Sequence, residues 1–136
     1  MTRTGTYVGA LWIAGALALA GEAAVHIQQY FALFHEVRWI GPLFVANGIA
    51  CAAVIAGLTH RRTRDVAGFA GVATSAVALA SLIASYGDGL FGWREAGFRP
   101  IVEATVMFEL AAVVLLSAAL AAAAAAPRPV RYGASR

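Results

Sequence analysis

Glu22 and His26 stand four residues apart in a stretch that is otherwise apolar from Tyr7 to Ile27. On a helix that spacing puts both side chains on one face. A carboxyl and an imidazole held together away from water can form an ion pair or share one proton, because desolvation penalises either charge alone. A second carboxyl, Glu109, sits in another apolar run, four residues after Thr105. Asn47 and Cys51 repeat the spacing in a third. Such a group could relay protons, bind a metal ion through Glu22 and His26, or hydrogen-bond the head of a quinone-like or lipid ligand. The plain alternative is a set of internal pairs that only fix how helices pack.

The surrounding sequence says what must position these groups. Of 136 residues, 61% are hydrophobic and 12% are charged. A soluble domain carries about 25% charged residues, so a water-soluble globule is excluded. The apolar content excludes disorder. A single cysteine, Cys51, excludes a disulfide scaffold. An integral membrane protein remains. A spanning helix needs about 20 mostly apolar residues, and four stretches qualify: about 7–27, 40–59, 66–86 and 101–126. The first helix has room to continue through Phe34, and Pro127 stops the fourth. The connections His35–Trp39, His60–Asp65 and Gly87–Pro100 are short, which implies antiparallel neighbours. The expected fold is all-α: one integral membrane domain over 1–136, a four-transmembrane-helix bundle running up-down-up-down. Pro42 falls in the first turn of the second helix and Pro100 at the start of the fourth, where a missing N–H costs little.

The basic residues are ten arginines. They flank apolar segments and form no aromatic-interleaved patch, so they do not read as a nucleic-acid surface. Seven (Arg3, Arg61, Arg62, Arg64, Arg128, Arg131, Arg136) fall on one side and three (Arg38, Arg94, Arg99) on the other. The positive-inside rule then places both termini in the cytoplasm of a bacterial cytoplasmic membrane. Tyr30, Trp39, Tyr86 and Trp93 mark the outer interface. Met1–Ala20 also admits a second reading: a basic start, an apolar stretch and Ala18-Leu19-Ala20 resemble a cleaved signal sequence. Against it, the apolar run continues past Ala20.

At about 1.5 Å per residue, Glu22 lies roughly 22 Å along a core about 30 Å thick. Counted inward from the outer ends, Asn47 lies roughly 10 Å deep and Glu109 roughly 12 Å. Four helices thus bring polar groups to the outer half. The first contributes a stripe of Gly15, Ala18, Glu22, His26 and Gln29. The third contributes Gly71, Thr74, Ala78, Ser81 and Ser85. An ionisable residue inside a span is costly and is a functional-site candidate by default. The ligand- or proton-binding candidates are therefore Glu22, His26, Asn47 and Glu109, with Tyr30, Ser81, Ser85, Glu103 and Thr105 as accessories. No catalytic residue and no particular cofactor is indicated. A di-iron bundle uses Glu-x-x-His twice, and neither copy occurs. Bis-histidine haem needs two buried histidines, and only His26 qualifies. Cys-x-x-Cys, Gly-x-Ser-x-Gly and a phosphate-binding glycine loop are all missing.

Two resemblances follow from these residues. Four spans with Glu22 in Ala18-Leu19-Ala20-Gly21-Glu22 resemble the small multidrug resistance exporters, which implies a proton- and cation-binding glutamate in a dimer. This chain is longer than those exporters, its glutamate lies nearer the outer end, and their aromatic pattern in later helices is not evident. The pattern His26-x-x-x-Tyr30, followed by Ile40-Gly41-x-Leu43-Phe44-x-x-Asn47, resembles a group of small four-helix membrane proteins of actinobacteria. That likeness covers about the first half of the chain and brings no activity with it. It implies that His26, Tyr30, Gly41 and Asn47 belong together.

The leading functional expectation is a non-enzymatic membrane protein with a polar pocket in its outer half, binding a small ligand, a metal or a proton-coupled solute. The alternative is a structural or interaction subunit, as a homo-oligomer or within a larger membrane complex, for which small-residue faces are suited. A haem- or quinone-linked redox protein is the third. The orientation has a direct check. With Cys51→Ala as background, Thr63→Cys should react with an impermeant thiol reagent only from the cytoplasmic side, and Glu36→Cys only from the opposite side.

Overall fold

The structure, a computed structural model, describes residues 3–125. It contains α1 (Arg3–Gln29), which continues as a wider π-type turn over Tyr30–Phe34, then α2 (Ile40–Thr59), α3 (Arg64–Tyr86) and α4 (Pro100–Ala125). All four helices are long and apolar enough to cross a membrane. Each packs against its sequence neighbours, and α4 closes the ring on α1. The chain is therefore a four-helix, multi-pass, up-down-up-down bundle. The ranges follow the expected spans closely. The helix of the first span continues through Phe34, and α3 begins two residues earlier than expected, at Arg64. The end of the fourth span near Ala126, Pro127, and the arginines at 128, 131 and 136 lie outside the described residues. Ala18-Leu19-Ala20 lies within the unbroken α1, with Ala18 and Leu19 buried, so a cut after Ala20 would remove them and Trp12 from the core.

The faces sort as a bilayer demands. Large apolar side chains point outward from every helix, among them Leu17, Ile49, Phe69 and Val114. The core is built mainly from Trp12, Leu19, Val54, Leu58, Leu116 and small residues such as Ala67, Ala112 and Ala119. Without a hydrophobic force between helices in lipid, close backbone approach does the packing, and small residues permit it. The stripe Gly15, Ala18, Glu22, His26 and Gln29 on α1 is buried as expected. On α3 the buried line is turned slightly from the expected one. It runs through Gly68, Gly71, Ser75 and Ser85, while Thr74, Ala78 and Ser81 sit beside it, half-buried.

The two ends of the bundle differ. At the end bearing the 60–63 connection, here the proximal end, α2 and α3 touch closely. A Cβ on Gly57 would stand 2.8 Å from the Ala67 Cβ. At the distal end, which bears residues 30–39 and 87–99, both helices line a cavity. There the π turn swings Phe34 inward, and Phe34 is 3% exposed. The Phe34 carbonyl accepts the Val37 N–H at 3.0 Å. Gly41 passes so close to that carbonyl that a Cβ would collide with it, and Tyr30 lies 3.5 Å from the same point. The connection 87–99 folds back as a small hairpin. Leu90 and Trp93 exchange both backbone hydrogen bonds, at 2.8 and 2.9 Å. Phe91 and Gly92 between them both have positive φ, 49° and 84°, the backbone of a tight two-residue turn matched to strand twist.

Gly41→Ala should lower the thermal stability of the detergent-purified protein by about 1–3 kcal/mol, the usual cost of overpacking. Gly9→Ala, which meets nothing within 4 Å among the described residues, should be neutral or slightly stabilising in the same melting experiment.

Candidate functional site

The site begins at Glu22, whose side chain is fully buried at 0% exposure. A carboxylate there must find donors on neighbouring helices, because lipid offers none. It finds two. Asn47 of α2 donates its Nδ2–H to Oε1 at 3.0 Å, and Ser75 of α3 donates its hydroxyl to Oε2 at 2.6 Å. The Cys51 thiol donates to Asn47 Oδ1 at 3.5 Å, which keeps the amide nitrogen turned toward Glu22. Three helices thus meet at one carboxyl group.

One turn further along α1, His26 Nδ1 lies 3.0 Å from the backbone carbonyl of Glu22. A carbonyl only accepts, so Nδ1 carries a proton and donates it. The other nitrogen, Nε2, faces Glu109 Oε1 of α4 at 3.7 Å. A lone pair facing a carboxylate would be repulsive. A further proton shared by the pair, on Nε2 as an imidazolium or on Glu109 as a neutral acid, would make that approach favourable. Glu109 is 1% exposed, and its Oε2 is buried with no hydrogen-bond partner among the described residues. Two carboxyl groups at similar depth thus have different fates. Glu22 has a donor on each oxygen, and Glu109 retains an open oxygen.

His26 and Glu109 reach a cavity of about 480 Å³. Its long walls come from α2 and α3, through residues such as Leu43, Ala46, Ala50, Ala73, Val77 and Ala78. Leu90, Trp93 and Glu95 of the hairpin connection line its distal end. The connection is tied down over it. Glu95 N–H donates to the Ser85 carbonyl at 3.0 Å, Tyr86 hydroxyl to the Gly97 carbonyl at 2.9 Å, and Arg99 pairs with Glu95 at 3.0 Å. An aromatic column leads from this lid to the histidine. Trp93 packs edge-on against Phe34 at 5.1 Å, Phe34 stacks on Phe44 at 4.5 Å, and Phe44 lies 4.9 Å from His26. Proximal to Glu22 the bundle is filled by Leu19, Val54, Leu116 and their neighbours.

The four principal candidates come together, with Asn47 on Glu22 and His26 on Glu109. The accessories divide. Ser81, Ser85 and Thr105 line the cavity, but each hydroxyl donates to a carbonyl of its own helix, at 2.8, 2.6 and 2.8 Å. Tyr30 is half-buried beside Phe31 and His35. Glu103 is exposed and does not line the cavity. His35 and Glu36 are exposed in the connection. Ser75 is the residue that sequence reasoning missed. The spacing Gly68, Gly71, Ser75, at three and four residues, carried the signal of a second small-residue line on α3. The aromatic column had no periodic signal, because it joins three separate segments.

Compared with family models, curated proteins and solved structures, the chain matches none.

Ser75→Ala should cost roughly 1–3 kcal/mol, because it leaves a buried carboxyl oxygen without its donor. Ser81→Ala, which removes only a bond within one helix, should change stability by less than about 0.5 kcal/mol. Thermal unfolding of both variants in detergent measures the difference.

Proposed function

We propose that this chain is a bacterial cytoplasmic-membrane protein that binds a small amphipathic ligand. The ligand's body would lie between α2 and α3, and its hydrogen-bonding head would meet His26 and Glu109. The observation that carries the reading is the cavity itself. Its walls are mostly apolar, and two buried ionisable side chains, His26 and Glu109, meet at its edge. A volume near 480 Å³ falls within the roughly 300–1,000 Å³ of small-molecule sites, which pair apolar walls with a few placed polar groups. The head would be quinone-like or a lipid carbonyl or carboxyl. One proton between Nε2 and Glu109 lets the site offer a donor on one side and an acceptor on the other.

Arginine counting supports cytoplasmic termini, which would put the cavity and its lid in the outer leaflet. The likeness to the actinobacterial group belongs to the same reading. The segment that carries it supplies His26, Phe44 and Asn47 to the site, and Tyr30 and Gly41 to the turn beside it.

The test uses the full chain in lipid nanodiscs with a fatty acid bearing a photoreactive diazirine in its tail. Labelling should concentrate on the cavity faces of α2 and α3. Ala78→Phe, which fills the cavity, should reduce it several-fold. Val114→Phe, on the lipid-facing side of α4, should not. Uniform labelling of all four helices, unchanged by Ala78→Phe, would show only ordinary lipid contact and would sink the reading.

A further inference from the structure

We propose that Glu22, His26 and Glu109 form a site for one divalent first-row transition ion of the zinc class, between α1 and α4. The inference goes beyond ligand binding in the cavity and stands without it. One ligand atom from each residue lies within 4.8 Å of the other two. The centre of such a triangle is about 2.8 Å or less from each corner, and small side-chain rotations bring that to zinc bonds of about 2.0–2.2 Å.

Several features of the site are those of a metal centre. Nδ1 of His26 is committed to the Glu22 carbonyl, so Nε2 is the nitrogen presented to an ion. A hydrogen bond on the far nitrogen is how ligating histidines are oriented. Glu22 is steered in the same way by Asn47 and Ser75 from two other helices, while each of its oxygens keeps a further lone pair. Independently, Oε2 of Glu109 is a buried acceptor with no partner. That atom stands where a ligand is missing.

Charge points to a divalent ion. Two carboxylates and a neutral imidazole carry two negative charges, which a divalent cation cancels. Net charge inside a membrane span is costly, so the bound state is the neutral one. Without metal, protons must do the same task, and binding therefore releases them. Imidazole among the donors favours zinc, cobalt or iron over magnesium and calcium, which prefer all-oxygen sites. His26 and Glu109 line the cavity, which gives the ion a way in.

Cobalt(II) is the spectroscopic probe, added to the metal-stripped full chain in detergent, with zinc as competitor. The expected result is one cobalt per chain with visible ligand-field bands, displaced by zinc and indifferent to millimolar magnesium. His26→Gln and Glu109→Gln should each weaken cobalt binding by about 10-fold or more. His35→Gln, which removes the exposed histidine beside Glu36, should leave it unchanged. Where a variant does not fold, X-ray absorption of the wild-type zinc complex decides, and one imidazole with oxygen donors is expected. The proposal is overturned by the absence of stoichiometric cobalt, by binding lost in His35→Gln, or by a zinc shell without imidazole. Because cobalt binding needs no diazirine lipid, its failure leaves the photolabelling result standing, and the reverse also holds.

Discussion

A carboxyl group with no access to water organises this bundle. Glu22 lies in a helix that must cross lipid, so its oxygens can be satisfied only by side chains from other helices. Asn47 and Ser75 do so. Meeting that demand sets the rotation of α2 and α3 about their own axes relative to α1. A turn of one residue on α3 would carry the Ser75 hydroxyl off the seam and put the bulkier, branched Thr74 in its place. Apolar packing alone would not discriminate so sharply, since most faces of these helices are Ala, Val, Leu or Gly. One polar junction thus selects one packing among several of similar apolar content.

Glu109 shows the other outcome of the same constraint. It is as buried as Glu22, yet one oxygen has no donor among the described residues and the other stands 3.7 Å from a histidine nitrogen. Interhelical polar contacts that serve packing end fully paired. This one does not, and it lies against a cavity. The contrast separates a carboxyl with a donor on each oxygen from one with an oxygen still open.

The shape of the bundle follows from its connections and its small residues. The short 60–63 link joins α2 to α3 where Gly57 and Ala67 let the backbones approach. The longer 87–99 link spans the opposite end, where the π turn buries Phe34 and α2 and α3 flank the cavity. The hairpin at Phe91–Gly92 then returns Trp93 onto Phe34 and roofs the space. A tightly packed end and a covered end leave the open oxygen of Glu109 buried on a residue that lines the cavity.

Much of this was legible without the fold. Four long apolar runs separated by short polar links admit one architecture, because a bilayer tolerates no unpaired backbone. Helical spacing on α1 identified the buried face with Glu22, His26 and Gln29, since a single ionisable stripe in an apolar helix has one direction to turn. Depth counted from the ends brought Asn47 and Glu109 to that level. What the sequence could not decide was the rotation of helices whose faces are chemically alike. On α3, Thr74 and Ser75 differ by one step, and only contact with Glu22 distinguishes them. The aromatic column, the lid and the open oxygen of Glu109 depend on side chains from segments far apart in the chain. Their distances arise only when the four helices have packed, because no local periodicity encodes a contact between separate helices and a loop.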